Sequence, residues 1–191
     1  MHSPDRQHLP GGELLRLARG SIEHGSLHGR PLRVSLDDLP AVLAAPAATF
    51  TTLRLDDKLR GCCGTLEAVR PLAEAVTHSA FQAAFRDTRF DPVRRDEVER
   101  VRLEVSVLSP PEIIIVSDEA DLLQQLAPGE DGLIIVEGLR RATFLPKVWE
   151  SLPDPRQFLA QLKLKCGLPK NYWSDQLAFQ RYRTTSFAEP V

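Results

Sequence analysis

Residues 48 to 65 read ATFTTLRLDDKLRGCCGT, two alternating runs separated by Asp56-Asp57. In the first run Phe50, Thr52 and Arg54 alternate with Thr51, Leu53 and Leu55. Period-two patterning around two residues that tolerate left-handed backbone predicts a β-hairpin. The pattern recurs in GLIIVE and RRATF, joined by a turn at Gly138-Leu139. RLEVSVLS reads as a further strand, with Leu103, Val105 and Val107 on one face and Glu104, Ser106 and Leu108 on the other. These hairpins outnumber any regular strand–helix–strand alternation. The fold class expected is therefore α+β, with mainly antiparallel sheets and packed helices, in a two-lobed single domain.

Helix signals fill the intervals. From Glu13, Leu14, Leu17, Ala18 and Ile22 share one helical face, with Gly25 as the expected stop. The Pro-rich stretch from Gly25 to Ala48 reads as loop with a short helix near Asp37 to Leu43. Pro71 opens a helix in which Leu72, Val76, Ala80 and Ala83 line up. EIIIV reads as a short buried strand and DEADLLQQL as a short helix. Asp154 caps a helix that Gly167 ends, and QLAFQRYRTTSF reads as one long closing strand. The expected organisation is a disordered lead-in over residues 1–12, a domain over 13–187 and a tail over 188–191.

Composition narrows the function classes. A net charge of −2 with no run of Lys or Arg argues against a nucleic-acid binder. No apolar run reaches bilayer length, and the start has no secretory pattern. Three cysteines, Cys62, Cys63 and Cys166, do not form a disulfide framework. A reducing, cytoplasmic compartment is the expectation. Neither a phosphate-loop nor a dinucleotide fingerprint is present.

The chain resembles the AMMECR domain family, whose bacterial and archaeal members include AmmeMemoRadiSam system protein A. The resemblance rests on L-R-G-C-x-G-[TS], matched by Leu59, Arg60, Gly61, Cys62, Gly64 and Thr65. AAFRDTRF, LEVSVLSPPE, PGEDGLII and RRATFLPKVWESLPDPRQFL extend it over roughly residues 11 to 187. Cys63 stands where an aliphatic residue is usual, and Thr88 where proline is usual. The resemblance implies a cytosolic α+β domain without an agreed activity. It also implies association with a radical S-adenosylmethionine enzyme and a Memo-like protein. The chain lacks a C-x3-C-x2-C run, so radical chemistry would belong to a partner.

Within LRGCCGT, neighbouring cysteines on a strand point to opposite faces and cannot share one metal, so no metal site is expected. Cys63 fits a packing role. Cys62 stays open between packing and a functional pocket that Arg60 would share, because a guanidinium nearby stabilises a thiolate. Gly61 and Gly64 would admit a ligand or a partner backbone, or mark a bulge or close backbone packing, and Thr65 closes the motif. Arg86, Asp87 and Arg89 hold a helix exit or clamp a substrate. Glu104 pairs with Arg60, acts as a base beside Ser106, or faces solvent. His78 reads as a surface histidine able to serve a thiolate if the fold brings it near. Trp149 and Trp173 read as core or interface anchors.

Three functions compete on this reading. One is an enzyme modifying a small molecule or a protein, with Cys62 and Glu104 as catalytic candidates. The second is a non-catalytic adaptor for the radical S-adenosylmethionine and Memo-like partners. The third is a nucleotide- or RNA-binding module. Cofactor, substrate and oligomeric state are not legible in the sequence.

Overall fold

The computed structural model describes residues 9–37 and 39–190 of the chain. It divides into two compact units, residues 1–108 with 185–191, and residues 109–184. The first eight residues of the expected lead-in, and Val191 of the expected tail, lie outside the described residues.

In the first unit the elements run α1 (Gly11–His28), α2 (Ala41–Ala44), β1 (Ala48–Leu55), β2 (Lys58–Gly64), α3 (Leu72–Phe85), β3 (Arg102–Leu108) and, after the second unit, β8 (Thr184–Ala188). The strands form one sheet in the order β2-β1-β3-β8, with β1 antiparallel to both β2 and β3. The predicted turn is present: Asp56 and Asp57 both adopt positive φ, at 50° and 61°. That geometry matches the twist of the flanking strands. Alternation puts Leu53, Leu103 and Val105 on the inner face, where they pack with Leu14 and Ile22 of α1 and Leu72, Val76 and Ala80 of α3.

Buried hydroxyl groups find their partners across the layers. Thr51 Oγ1 and Ser79 Oγ are 2.7 Å apart, and Ser21 Oγ donates to the Thr77 carbonyl at 2.7 Å. Gly25 is not the stop of α1. The helix continues to His28 and ends on Gly29 at φ 66°. Gly25 is buried, and a Cβ there would stand 2.6 Å from the Phe85 ring. Its sequence signal is a packing contact with α3.

The second unit contains β4 (Glu112–Ile114), α4 (Glu119–Gln125), β5 (Gly132–Glu137), β6 (Arg140–Phe144), a 3-10 turn (Pro146–Glu150), α5 (Pro155–Lys165) and β7 (Ala178–Tyr182). Its sheet order is β4-β7-β5-β6, antiparallel throughout. Ile114, Leu133, Ile135, Phe158, Leu162 and Phe179 build its core. Trp149 stacks on Phe158 and donates its indole N–H to the Asp131 carbonyl at 2.7 Å. Asp154 caps α5 by accepting from Gln157 N at 2.9 Å.

Two strand expectations need correction. EIIIV is not a buried strand: β4 lies at a sheet edge, with Ile113 74% and Ile115 86% exposed. QLAFQRYRTTSF is not one strand. It breaks at Arg183, whose amide donates to Ser109 Oγ at 2.9 Å and whose carbonyl accepts from Ser109 N at 2.9 Å. Its halves, β7 and β8, belong to different sheets.

Candidate functional site

β2 is an edge strand, so alternate residues present backbone N–H and C=O groups to whatever flanks the sheet. The flanking piece is the turn leaving α3. Asp87 Oδ2 accepts from the Cys62 amide at 2.8 Å, while Arg89 Nη2 donates to the Cys62 carbonyl at 3.1 Å. The two side chains also grip each other. Arg89 Nε lies 2.9 Å from Asp87 Oδ1, and Nη2 lies 2.7 Å from Oδ2. Arg89 first, and then the backbone donors, hold the Asp87 carboxyl well below the usual carboxylate range despite burial. Of the alternatives for this motif, the structural one describes these contacts. Arg86 is exposed, with its guanidinium 6.0 Å from the Phe81 ring centroid.

Arg60 sits where the hairpin register slips. Leu53 pairs with Gly61 and Arg54 with Leu59, which leaves Arg60 without a partner on β1. A bulge re-aims its side chain. Arg60 Nη2 meets Glu97 Oε2 at 2.9 Å, and Nη1 donates to the Asp91 carbonyl at 2.7 Å. Glu97 also accepts from Arg94 N at 2.8 Å, and the Arg60 hydrogen bond leads the effects that lower its pKa. Arg60 therefore does not share a hollow with Cys62, and its carboxylate partner is Glu97 rather than Glu104.

A hollow does exist beside the motif. It has a volume of about 550 Å³ and is bounded by the end of β2, residues 65–70 and one side of α3. Cys62, Cys63, Gly64 and Thr65 form one wall, Ala75, His78, Ser79 and Gln82 another, and Phe50, Val69 and Arg70 contribute to the rest. Gly61, next to this wall, fixes how close β2 comes to α3. A Cβ there would stand 2.1 Å from the Ala83 carbonyl oxygen, so only glycine lets β2 lie this close to α3.

The two thiols differ. Cys63 packs against the core, and burial, followed by the Asp87 charge, pushes its pKa up to about 11. It is a neutral thiol at ordinary pH. Cys62 is half-buried, with Sγ 3.4 Å from Thr52 Oγ1. His78, read from sequence as a surface residue, is half-buried in the cavity wall. Burial first, and the Arg70 charge second, lower its pKa, so its imidazole is uncharged at neutral pH.

The remaining candidates stand elsewhere. Glu104 is in register with Thr52, and Thr52 with Cys62, so Glu104 lies two strands from Cys62. Two inter-strand spacings separate their backbones by about 10 Å, with Thr52 between them. Ser106 is one step along β3, with Oγ 2.8 Å from Ser186 Oγ. Of the sequence candidates, Cys62, Gly64 and Thr65 line the cavity, whereas Arg60, Gly61, Arg86, Asp87, Arg89, Glu104 and Ser106 do not. Ala75, Ser79 and Gln82 carried no functional signal in sequence, because their side of α3 gains meaning only once β2 is laid beside it.

Comparison with known proteins agrees with the fold. The AMMECR1 family model matches residues 15–187. The chain belongs to the AMMECR1 family. A protein of Methanothermobacter thermautotrophicus is 36% identical over 185 residues, covering 94% of each chain. A protein of Methanocaldococcus jannaschii is 37% identical over 183 residues, covering 92% of this chain and 88% of its own. The crystal structure of an uncharacterized protein from Pyrococcus horikoshii superposes with a TM-score of 0.85 at 34% identity. That match covers 94% of this chain and 91% of the other. Among the described residues, no helix of this AMMECR1-family chain is long and apolar enough to cross a membrane.

Proposed function

We propose that this AMMECR1-family chain binds a small organic molecule in the cavity between the LRGCCGT strand and α3. It would do so as a component of the radical S-adenosylmethionine and Memo-like system that the family resemblance implies. The observation that carries the reading is the cavity itself. Its volume of about 550 Å³ falls within the range of small-molecule sites, and apolar walls with a few polar groups suit such a ligand. Titration of the isotope-labelled protein with a small-molecule library tests it. Amide shifts should cluster at residues 62–70 and 75–82. Hits whose shifts fall consistently elsewhere would refute it.

A second reading is favoured by one specific observation: Cys62 and His78 line the same cavity, and His78 is in its basic form at neutral pH. In this reading His78 takes the Cys62 thiol proton and the thiolate sulfur bonds to an electrophilic carbon of the bound molecule. As the bond from that carbon to its leaving group breaks, the departing group takes the proton back from His78. Glu104 does not line this cavity, whereas His78 does. The rate of Cys62 alkylation by iodoacetamide, followed against pH, decides it. The reading expects His78→Gln to slow the reaction about tenfold near neutrality; an unchanged profile defeats it.

A further inference from the structure

A second hollow, of about 490 Å³, adjoins the first, and Arg70 and His78 line both. Its other walls include Arg30, Arg33, Leu32 and Glu74. Three guanidinium groups thus face one carboxylate, in a chain whose net charge is −2.

Arg19, Arg60, Arg89, Arg94, Arg100 and Arg102 each reach a carboxylate. Among the described residues no carboxylate or carbonyl engages the guanidinium of Arg30, Arg33 or Arg70. Guanidinium groups left unpaired around one concavity raise the local potential and present fork-shaped donors, which suit planar or tetrahedral oxyanions. His78 adds hydrogen-bonding capacity without charge, because burial, and then Arg70, keep it neutral.

We infer that the ligand is an organic anion, its uncharged body lodged in the cavity against Cys63, Ala75 and Ser79 and its oxyanion head held by Arg30, Arg33 and Arg70. The inference rests on the cavity being a ligand site and adds the chemical class of the ligand. A phosphate, sulfonate or carboxylate head attached to an aromatic or branched aliphatic body meets both halves. The apolar half gives uncharged molecules a foothold, and the arginine half supplies the preference for charge.

Two fluorescent probes separate the claims. Anilinonaphthalenesulfonate carries an aromatic body and a sulfonate, and phenylnaphthylamine has a closely similar body without the charge. At low salt the sulfonate probe is expected to bind about tenfold or more tightly than the neutral one, and added salt should narrow the gap. A variant with Arg30→Gln, Arg33→Gln and Arg70→Gln should lose that advantage and keep its affinity for the neutral probe. Gln82→Trp should weaken both probes by filling the cavity, and Val69→Trp at the rim serves if that variant fails to fold. Equal affinities, or a sulfonate advantage that survives the triple replacement, overturn the inference and leave the cavity reading standing. If neither probe binds, or if cavity filling affects neither, both fall.

Discussion

Asp87 accepts a strand amide with one oxygen while both its oxygens hold an arginine, all in a site where its side chain is only 6% exposed. Its depressed pKa couples stability to pH. The contribution is complete above the ordinary aspartate value of about 3.9 and is lost as pH falls through that value toward the lower folded one. Asp87→Asn should therefore cost about 2 kcal/mol at pH 7, measured by urea unfolding, and the gap from wild type should close on acidification. A gap independent of pH would mean that the charge contributes nothing. The sequence puts Asp87 and Arg89 at the helix exit but leaves two roles open, because their partner Cys62 lies 25 and 27 residues earlier. Arg60 was misjudged for a similar reason. Strand alternation directs it toward the face of Cys62, whereas the bulge, one of the roles open to Gly61 in the sequence, turns it to Glu97.

At the level of elements, the hairpin and α3 could be read directly, since period-two and helical patterning survive without tertiary information. Their spacing could not. Gly61 reads in the sequence as a mark of a bulge, of close backbone packing or of ligand approach; the strand bulges beside it, and the group that approaches it is the α3 backbone at Ala83. Gly61→Ala should cost about 3 kcal/mol in unfolding free energy, because backbone on both sides resists relaxation. Substitution at Gly12, where an added Cβ meets nothing within 4 Å, serves as the tolerant control. A loss for Gly61→Ala no larger than the control's would contradict the close packing. The closing segment failed differently. Alternation runs unbroken through Arg183, so only the paired hydrogen bonds with Ser109 reveal that the chain changes sheets there.

Across the molecule, the chain leaves its first unit after Leu108 and returns to it at Thr185, so the first sheet takes in β8 from beyond the entire second unit. The α+β class with antiparallel sheets was legible, because hairpins and helix caps are local. The cavity was only half legible: its strand wall stands in the LRGCCGT motif, whereas its α3 wall depends on which turn of that helix meets β2. The central claim is that this hollow receives a ligand against Cys62. The direct measurement uses a variant carrying Cys63→Ala and Cys166→Ala, so that Cys62 is the only thiol. Its alkylation rate is followed with and without saturating anilinonaphthalenesulfonate. Bound probe should slow alkylation at least about fivefold, as expected when a ligand excludes reagent from a cavity wall. Full alkylation speed with the probe demonstrably bound would place the ligand elsewhere and contradict the claim.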